Sequence, residues 1–364
     1  MKIRIRTRGL LTAIAVAGLS LGSVAQSASA ASPGIKNGDA CSKALYGKTR
    51  SSFKCTYNTR TKKYTWTTVK KVNTTVTTVA GTVDKTGWPK KFVIGAVPSE
   101  NAASMTLKYQ NLVKLFQDEL GIPVEFYSAT DYAGIIEAQV ANRVDLAFYG
   151  PFSYIIAKNK GAKIDPAGVA VSSATGVPGY KSYGIALGTN SAVTSISNFK
   201  GKRICFVDPS STSGALYPTA GLLAAGIDPT KETITYAGTH DASVLAVKNG
   251  TCDVGFAYDD MVDKTLIANG RISAGEIKTV WKSGLIAGSP IAVRVNLPKS
   301  LVAAVRDIIL NKANKTAMVK SGRCTSESTC QIIEDSSWGF VKTTDSYYDG
   351  VRQVCESTKS SKCK

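Results

Sequence analysis

From residue 92 onward, short apolar runs alternate with amphipathic stretches. Phe92-Val93-Ile94-Gly95-Ala96-Val97 is continuous enough to be a buried strand. Over Ala103 to Leu120, the residues Leu112, Leu115, Phe116 and Leu120 share one helical face, and Gly121 with Pro123 stops the helix. Val124-Glu125-Phe126-Tyr127 predicts a strand, Asp131 to Asn142 a helix, and Val144 to Tyr149 a further buried strand closed by Gly150-Pro151. Strands alternating with helices predict parallel βαβ units.

The pattern then repeats. Residues 138–148, a helix end, a turn and a strand, are echoed at 246–256, with Asn closing the helix and Asp145 or Asp253 opening the strand. Two similar α/β lobes explain this, each ending a strand at a tyrosine, Tyr149 or Tyr258. Ligands of open α/β sheets sit beyond the carboxyl ends of the strands. Facing lobes would therefore put both tyrosines around one cleft. Gly179 to Gly184 and Val280 to Pro290 read as the two segments crossing between lobes, and Leu301 to Lys315 as a helix of the first.

The stretch that carries chemistry lies between a predicted strand, Ile204-Cys205-Phe206-Val207, and a predicted helix, Ala215 to Ala225. It reads Asp208-Pro209-Ser210-Ser211-Thr212-Ser213-Gly214. The first N–H groups of a helix lack internal partners, and the helix dipole there favours negative charge. One hydroxyl before a helix is an N-cap. Four in succession exceed what a cap needs, so the turn is expected to bind an anion, with Gly214 allowing close approach of the backbone. His240, the single histidine, falls at a strand end before the next helix, where a protonated imidazole would pair with an anion.

Composition changes the picture in three places. Residues 1–30 have the form of an export signal: Lys2, Arg4, Arg6 and Arg8, an apolar run from Leu10 to Leu21, and Ala28-Ser29-Ala30. The formal charge of +19 is concentrated early, since residues 31–90 hold twelve Lys/Arg against two acids, which leaves +5 for residues 91–364. That argues against nucleic acid as a partner of the main body. Residues 31–90 read as a basic module with a disulfide. They contain a short hairpin over Tyr57 to Val69 and a Thr/Val-rich stretch from Thr74 to Val83, and are expected to dock on anionic cell-wall polymer or to act as a solubilising spacer. Eight cysteines fit an oxidising compartment; proximity pairs Cys41–Cys55, Cys324–Cys330 and Cys355–Cys363, leaving Cys205 with Cys252. No CxxC or Cys–His cluster predicts a metal site, no P-loop or G-x-G-x-x-G predicts a nucleotide, and Gly38-Asp39-Ala40 before Cys41 is no lipid-attachment pattern. The chain is expected to be secreted or held at the cell surface, without cofactors.

In combination and order, several motifs resemble the substrate-binding proteins of phosphonate-type ABC importers. They are Tyr132 in Asp-Tyr-Ala-Gly-Ile-Ile, Tyr149-Gly150, Pro178-Gly179-Tyr180, the Asp208–Gly214 turn, His240 after Ala237-Gly238, and Trp281-Lys282-Ser283. The resemblance spans about Phe92 to Arg294. It implies an α/β fold of two lobes with a hinged cleft, the type II periplasmic-binding-protein architecture, beside the small N-terminal β-rich module. Lobe 1 would comprise residues 91–182 and 284–364, and lobe 2 residues 183–283. It implies capture of a phosphonate, phosphite or phosphate for an ABC permease, with no catalysis. Ser211, Thr212 and Ser213 would hold the oxyanion with helix amides, Tyr132, Tyr180 and His240 would complete the shell, and Tyr149 would border it. Asp260 matches one of two acids that hold an amine in the family; the other position is Ser289. The competing readings are a surface sensor without a permease and a hydrolase of phosphoesters. The hydrolase would use Ser211 or Ser213 with His240 and Asp241 or Asp259, but lacks a G-x-S-x-G elbow.

Overall fold

The computed structural model describes residues 36–45, 48–50, 53–68, 83–333 and 337–363. The predicted export signal, Tyr46-Gly47 and most of the Thr/Val-rich stretch lie outside them. The chain divides into two compact units, Met1–Gly81 and Thr82–Lys364. The first ends before residue 90 because Trp88 belongs to the second, where its indole N–H donates to Ser300 Oγ at 2.9 Å.

In the first unit, β1 (Thr49–Arg50), β2 (Phe53–Asn58) and β3 (Lys63–Thr68) form an antiparallel sheet. The hairpin starts four residues earlier than Tyr57, and Asn58 Oδ1 accepts the N–H groups of Arg60 and Thr61 at its turn. Trp66 is buried opposite Cys55, which is bonded to Cys41, so this tryptophan is the core of the unit.

In the second unit the chain runs β4 (Phe92–Ala96), α1 (Ala102–Leu120), β5 (Val124–Ser128), α2 (Tyr132–Val140), β6 (Leu146–Phe148), α3 (Pro151–Asn159) and β7 (Ile164–Val171). It continues through β8 (Ser182–Leu187), β9 (Arg203–Phe206), α4 (Tyr217–Ala224), β10 (Thr233–Tyr236), α5 (His240–Lys248), β11 (Val254–Tyr258), α6 (Leu266–Ala268) and β12 (Ile277–Lys282). It closes with β13 (Pro290–Arg294), α7 (Lys299–Asp307), α8 (Lys315–Lys320), β14 (Gly339–Val341) and α9 (Asp349–Thr358). One sheet has the order β14-β7-β13-β6-β4-β5, the other β10-β9-β11-β8-β12. The parallel triplets β5-β4-β6 and β10-β9-β11 are the predicted βαβ units; the remaining strands pair antiparallel. Within the triplets, β4, β6, β9 beyond Arg203 and β11 are largely buried, as parallel strands covered by helices must be, while β5 and β10 are exposed edges. On β4, Phe92 and Ile94 join Leu112, Leu115 and Phe116 of α1, while Val93 faces the cluster of Ile135, Ile136 and Phe152.

The repeated segment does the same work twice. Asp145 Oδ2 accepts the N–H of Val93 at 2.8 Å, and Asp253 Oδ2 accepts that of Arg203 at 2.9 Å, so each aspartate locks the third strand of its parallel triplet to the first. The left-handed residue of the preceding turn is Asn142 in one copy and Gly250 in the other (φ 59° and 73°); Asn249 is only the helix cap. The predicted helix Leu301 to Lys315 is broken. After α7 a wide turn, Ile308–Lys312, intervenes, and Asn314 starts α8 by accepting the N–H of Ala317.

Two segments join the sheets, residues 172–181 and 283–289. They pair through Tyr180 and Ile286, whose backbones exchange hydrogen bonds of 3.2 and 2.8 Å. Tyr347 ties both: its hydroxyl donates to Pro178 O at 2.7 Å and accepts the Gly288 N–H at 3.2 Å. The three disulfides suggested by proximity form, and so does the remaining pair, Cys205–Cys252.

The two anchoring aspartates differ in burial, which yields a prediction. Asp145 is buried and paired with Arg294 at 2.8 Å, whereas the Asp253–Arg203 pair is open to solvent. Breaking a buried pair leaves a stranded charge, so Asp145→Ala should cost about 3 kcal/mol in chemical denaturation. Asp253→Ala should cost far less.

Candidate functional site

Four helical segments begin at one place. Tyr132 opens α2, Gly150 caps α3, Ser211 caps the wide turn Thr212–Leu216 that leads into α4, and His240 opens α5. All four residues line a cavity of ≈ 260 Å³ between the two sheets. Strand geometry puts them there: β6 and β9 run straight into the second and third of these starts, and β4 ends close to Ser99 in the cavity wall. The helix predicted from Ala215 thus begins at Thr212, and the hydroxyls belong to its first turn.

Within that turn the roles separate. Ser211 is the N-cap, its Oγ accepting the Gly214 N–H at 3.0 Å, and its hydroxyl also lies 3.4 Å from His240 Nε2. Thr212 Oγ1 accepts the N–H of Phe152 at 2.9 Å, which ties this turn to the first amides of α3 in the other lobe. Ser213 offers its carbonyl to Ser182 Oγ at 2.6 Å, and the Tyr180 hydroxyl bonds the side chains of Thr212 and Ser213. Gly214 does not serve ligand approach. A Cβ there would stand 2.3 Å from Val207 Cβ, so the glycine is required for packing of the turn on its own strand.

Two more contacts cross the cleft. The Asp208 carboxylate accepts the N–H groups of Ser210 and, in the other lobe, of Tyr132 at the start of α2. The N–H of His240, at the start of α5, donates to Ser99 O at 2.9 Å. Three helix starts are thus capped by groups of the opposite lobe, satisfying donors that a helix leaves open.

His240 corrects an expectation. Its Nδ1 accepts the Tyr258 N–H at 3.3 Å, so the proton of the neutral ring sits on Nε2 and points to Ser211. Burial pushes its pKa down to about 3 from an ordinary 6.5. It is a neutral donor, not an imidazolium. The same bond removes the hydrolase geometry. A triad needs Nδ1–H donating to a carboxylate, and here Nδ1 accepts from backbone while Asp241 bonds Thr239 Oγ1.

Every residue predicted for the site lines the cavity: Tyr132, Tyr149, Tyr180, Ser211, Thr212, Ser213, His240 and Asp260. Tyr149 forms wall, with its hydroxyl 3.5 Å from Ile135 O, and burial raises the pKa of its phenol and that of Tyr180. Asp260 is paired with Lys264 at 2.8 Å. Asp259 lines the cavity too, and burial, then the charge of Asp260, raise its pKa. Sequence reasoning missed Lys264, although its place four residues after Asp260 on a helix is a readable signal. Among the described residues, no group of three or more His, Cys, Asp or Glu side chains is placed to hold a metal ion.

Two α/β lobes, a pair of crossing segments and a cavity between them define a two-lobed solute-binding protein. A profile of the family described as "ABC transporter, phosphonate, periplasmic substrate-binding protein" matches residues 94–348. The chain is 43% identical over 286 residues to the phosphate-import protein PhnD of Mycolicibacterium smegmatis, covering 76% of this chain and 89% of the relative. The chain belongs to this family of extracytoplasmic ABC-importer components. A crystal structure of a binding protein component of an ABC phosphonate transporter from Pseudomonas aeruginosa is similar, with a TM-score of 0.64 and 25% identity over 74% of this chain and 86% of that one. PhnD1 from Prochlorococcus marinus, solved with methylphosphonate, shares the fold at a TM-score of 0.64 and 18% identity, over 74% and 99% of the two chains.

The buried histidine predicts a pH dependence. Its folded pKa lies below the unfolded value, so the unfolded chain takes up the proton first as pH falls. Its contribution is complete above about pH 6.5 and is lost towards pH 3. Between pH 7 and pH 5 the wild type should lose about 2 kcal/mol more than His240→Gln in urea denaturation.

Proposed function

We propose that this protein captures a phosphorus oxyanion, namely phosphate, phosphite or a phosphonate, in the cleft and delivers it to an ABC permease without altering it. The observation that carries this reading is the convergence of four helix starts on one cavity with neutral donors beside them. Helix dipoles and N–H groups attract an anion without a dedicated cation. Ser211, Ser213, Tyr180, Tyr132 and the Nε2–H of His240 are the donors, Thr212 ties the lobes, Tyr149 forms wall, and Asp260 stands at the rim. The phosphate-import name of the relative at 43% identity points the same way.

The magnitudes suffice. A hydrogen bond to a charged group contributes about 1.5–3 kcal/mol net, so four or five donors reach on the order of 10 kcal/mol. Micromolar affinity needs about 8 kcal/mol, with ordering and closure subtracting from the gross figure. Calorimetry with phosphate, phosphite, methylphosphonate and sulfate tests the proposal. At least one phosphorus oxyanion should bind at micromolar strength or better, and Ser211→Ala with Ser213→Ala should weaken it about 100-fold. Unchanged affinity in the double variant, or turnover of a phosphoester, would defeat the reading.

The N-terminal unit adds a second proposal: its basic surface holds the protein against anionic cell-wall polymer. Its excess of Lys/Arg over acids supports this, as does the exposed Tyr57 beside Tyr64, with ring centroids 4.7 Å apart. Deleting residues 36–81 should release the protein from isolated walls at low salt; unaltered co-sedimentation would end the idea.

A further inference from the structure

The rim of the cavity carries an uneven set of charges. Lys264 is the only Lys or Arg among the described residues lining it. It sits four residues after Asp260, and its Nζ lies 2.8 Å from Asp260 Oδ1. The lysine side chain is 57% exposed and the aspartate 29%, so the pair stands at the edge of water. Such a pair is weak and exchanges partners readily. Asp259 is held differently. Its Oδ2 accepts the Lys181 N–H at 3.0 Å and its Oδ1 the Asp260 N–H at 3.1 Å, which fixes it to a crossing segment. Asp263 is turned away, accepting the Tyr183 hydroxyl at 2.9 Å, and Lys282 lies over that same ring. Ser289, also on the cavity wall, is neutral.

These contacts bear on which phosphorus compound the cleft selects. A ligand with an ammonium group needs a carboxylate free to receive it, because a buried cation without a partner is costly. Here the partly exposed Asp260 carboxylate already has a cation, which would also repel the incoming ammonium. A compact oxyanion meets the reverse situation. The helix starts hold it from within, and Lys264 can lend its charge to an outward oxygen while keeping Asp260 beside it.

We propose that Lys264 is a specificity-determining residue: by occupying Asp260 and facing the cavity, it selects phosphate and other phosphorus oxyanions without an ammonium group over aminophosphonates. This rests on the oxyanion reading of the cleft and narrows it. Lys264 keeps its charge throughout the neutral range, since its hydrogen bond to Asp260 raises its pKa.

Calorimetry on the full chain tests it, with phosphate, methylphosphonate and 2-aminoethylphosphonate against the wild type, Lys264→Met, Lys264→Arg and Asp260→Asn. The exposed position of Lys264 makes loss of folding in these variants unexpected, and a thermal melt checks it. The wild type should prefer phosphate to 2-aminoethylphosphonate by at least about tenfold. Lys264→Met should weaken phosphate about tenfold and strengthen the aminophosphonate, while Lys264→Arg keeps the wild-type ratio. Asp260→Asn should not gain the amine. A phosphate-to-aminophosphonate ratio unmoved by Lys264→Met, or a wild type that prefers the amine, overturns the assignment while leaving oxyanion capture intact. A wild type that binds none of the three defeats the oxyanion reading, and this one with it.

Discussion

The structure depends on helix starts that have too few partners of their own. Each helix leaves its first N–H groups open, and four such ends meet between the two sheets. Bringing them together concentrates positive potential in a cavity with, among the described residues, only one lysine at its rim. That arrangement is unfavourable unless acceptors arrive, and they come from two sources. Some belong to the opposite lobe, and the rest are expected from an anion.

The protein's own acceptors couple the cavity to the relation between lobes. Asp208 receives the first amide of α2, Thr212 an early amide of α3, and Ser99 the first amide of α5. Each contact exists only while the lobes are together. Ser99 and Thr212 therefore both border the cavity and hold the lobes together. Behind them the apolar packing is also shared, since Val207 and Leu216 of one lobe join Tyr132, Phe152 and Tyr348 of the other in a single cluster. α9 packs against both α3 and α4, and Tyr347 pins both crossing segments. The C-terminal region thus stiffens the hinge from outside.

Much of this was legible along the chain because it is local. The repeat at 138–148 and 246–256 announced twin βαβ units, and the aspartates in it perform matching jobs. The hydroxyl run before α4 announced a helix start that lines the cavity. Other parts were misread for identifiable reasons. Gly214 was assigned to the ligand because a glycine beside a binding turn looks the same whether it admits a ligand or a neighbouring valine. His240 was read as a cation because its tautomer depends on a backbone amide eighteen residues away.

What the amino-acid order determined by itself was the twin βαβ units, their apolar faces and, through motif, the residues that gather at the cleft. These follow from periodicity, turn chemistry and motif, which act over a few residues. What only the tertiary structure decided was the condition of each group once gathered: which hydroxyl is cap, tie or donor, which nitrogen of His240 carries the proton, and that Asp260 is already paired. Those outcomes depend on solvent exclusion and on hydrogen bonds between segments far apart in the chain, and neither exists until the two lobes have packed together.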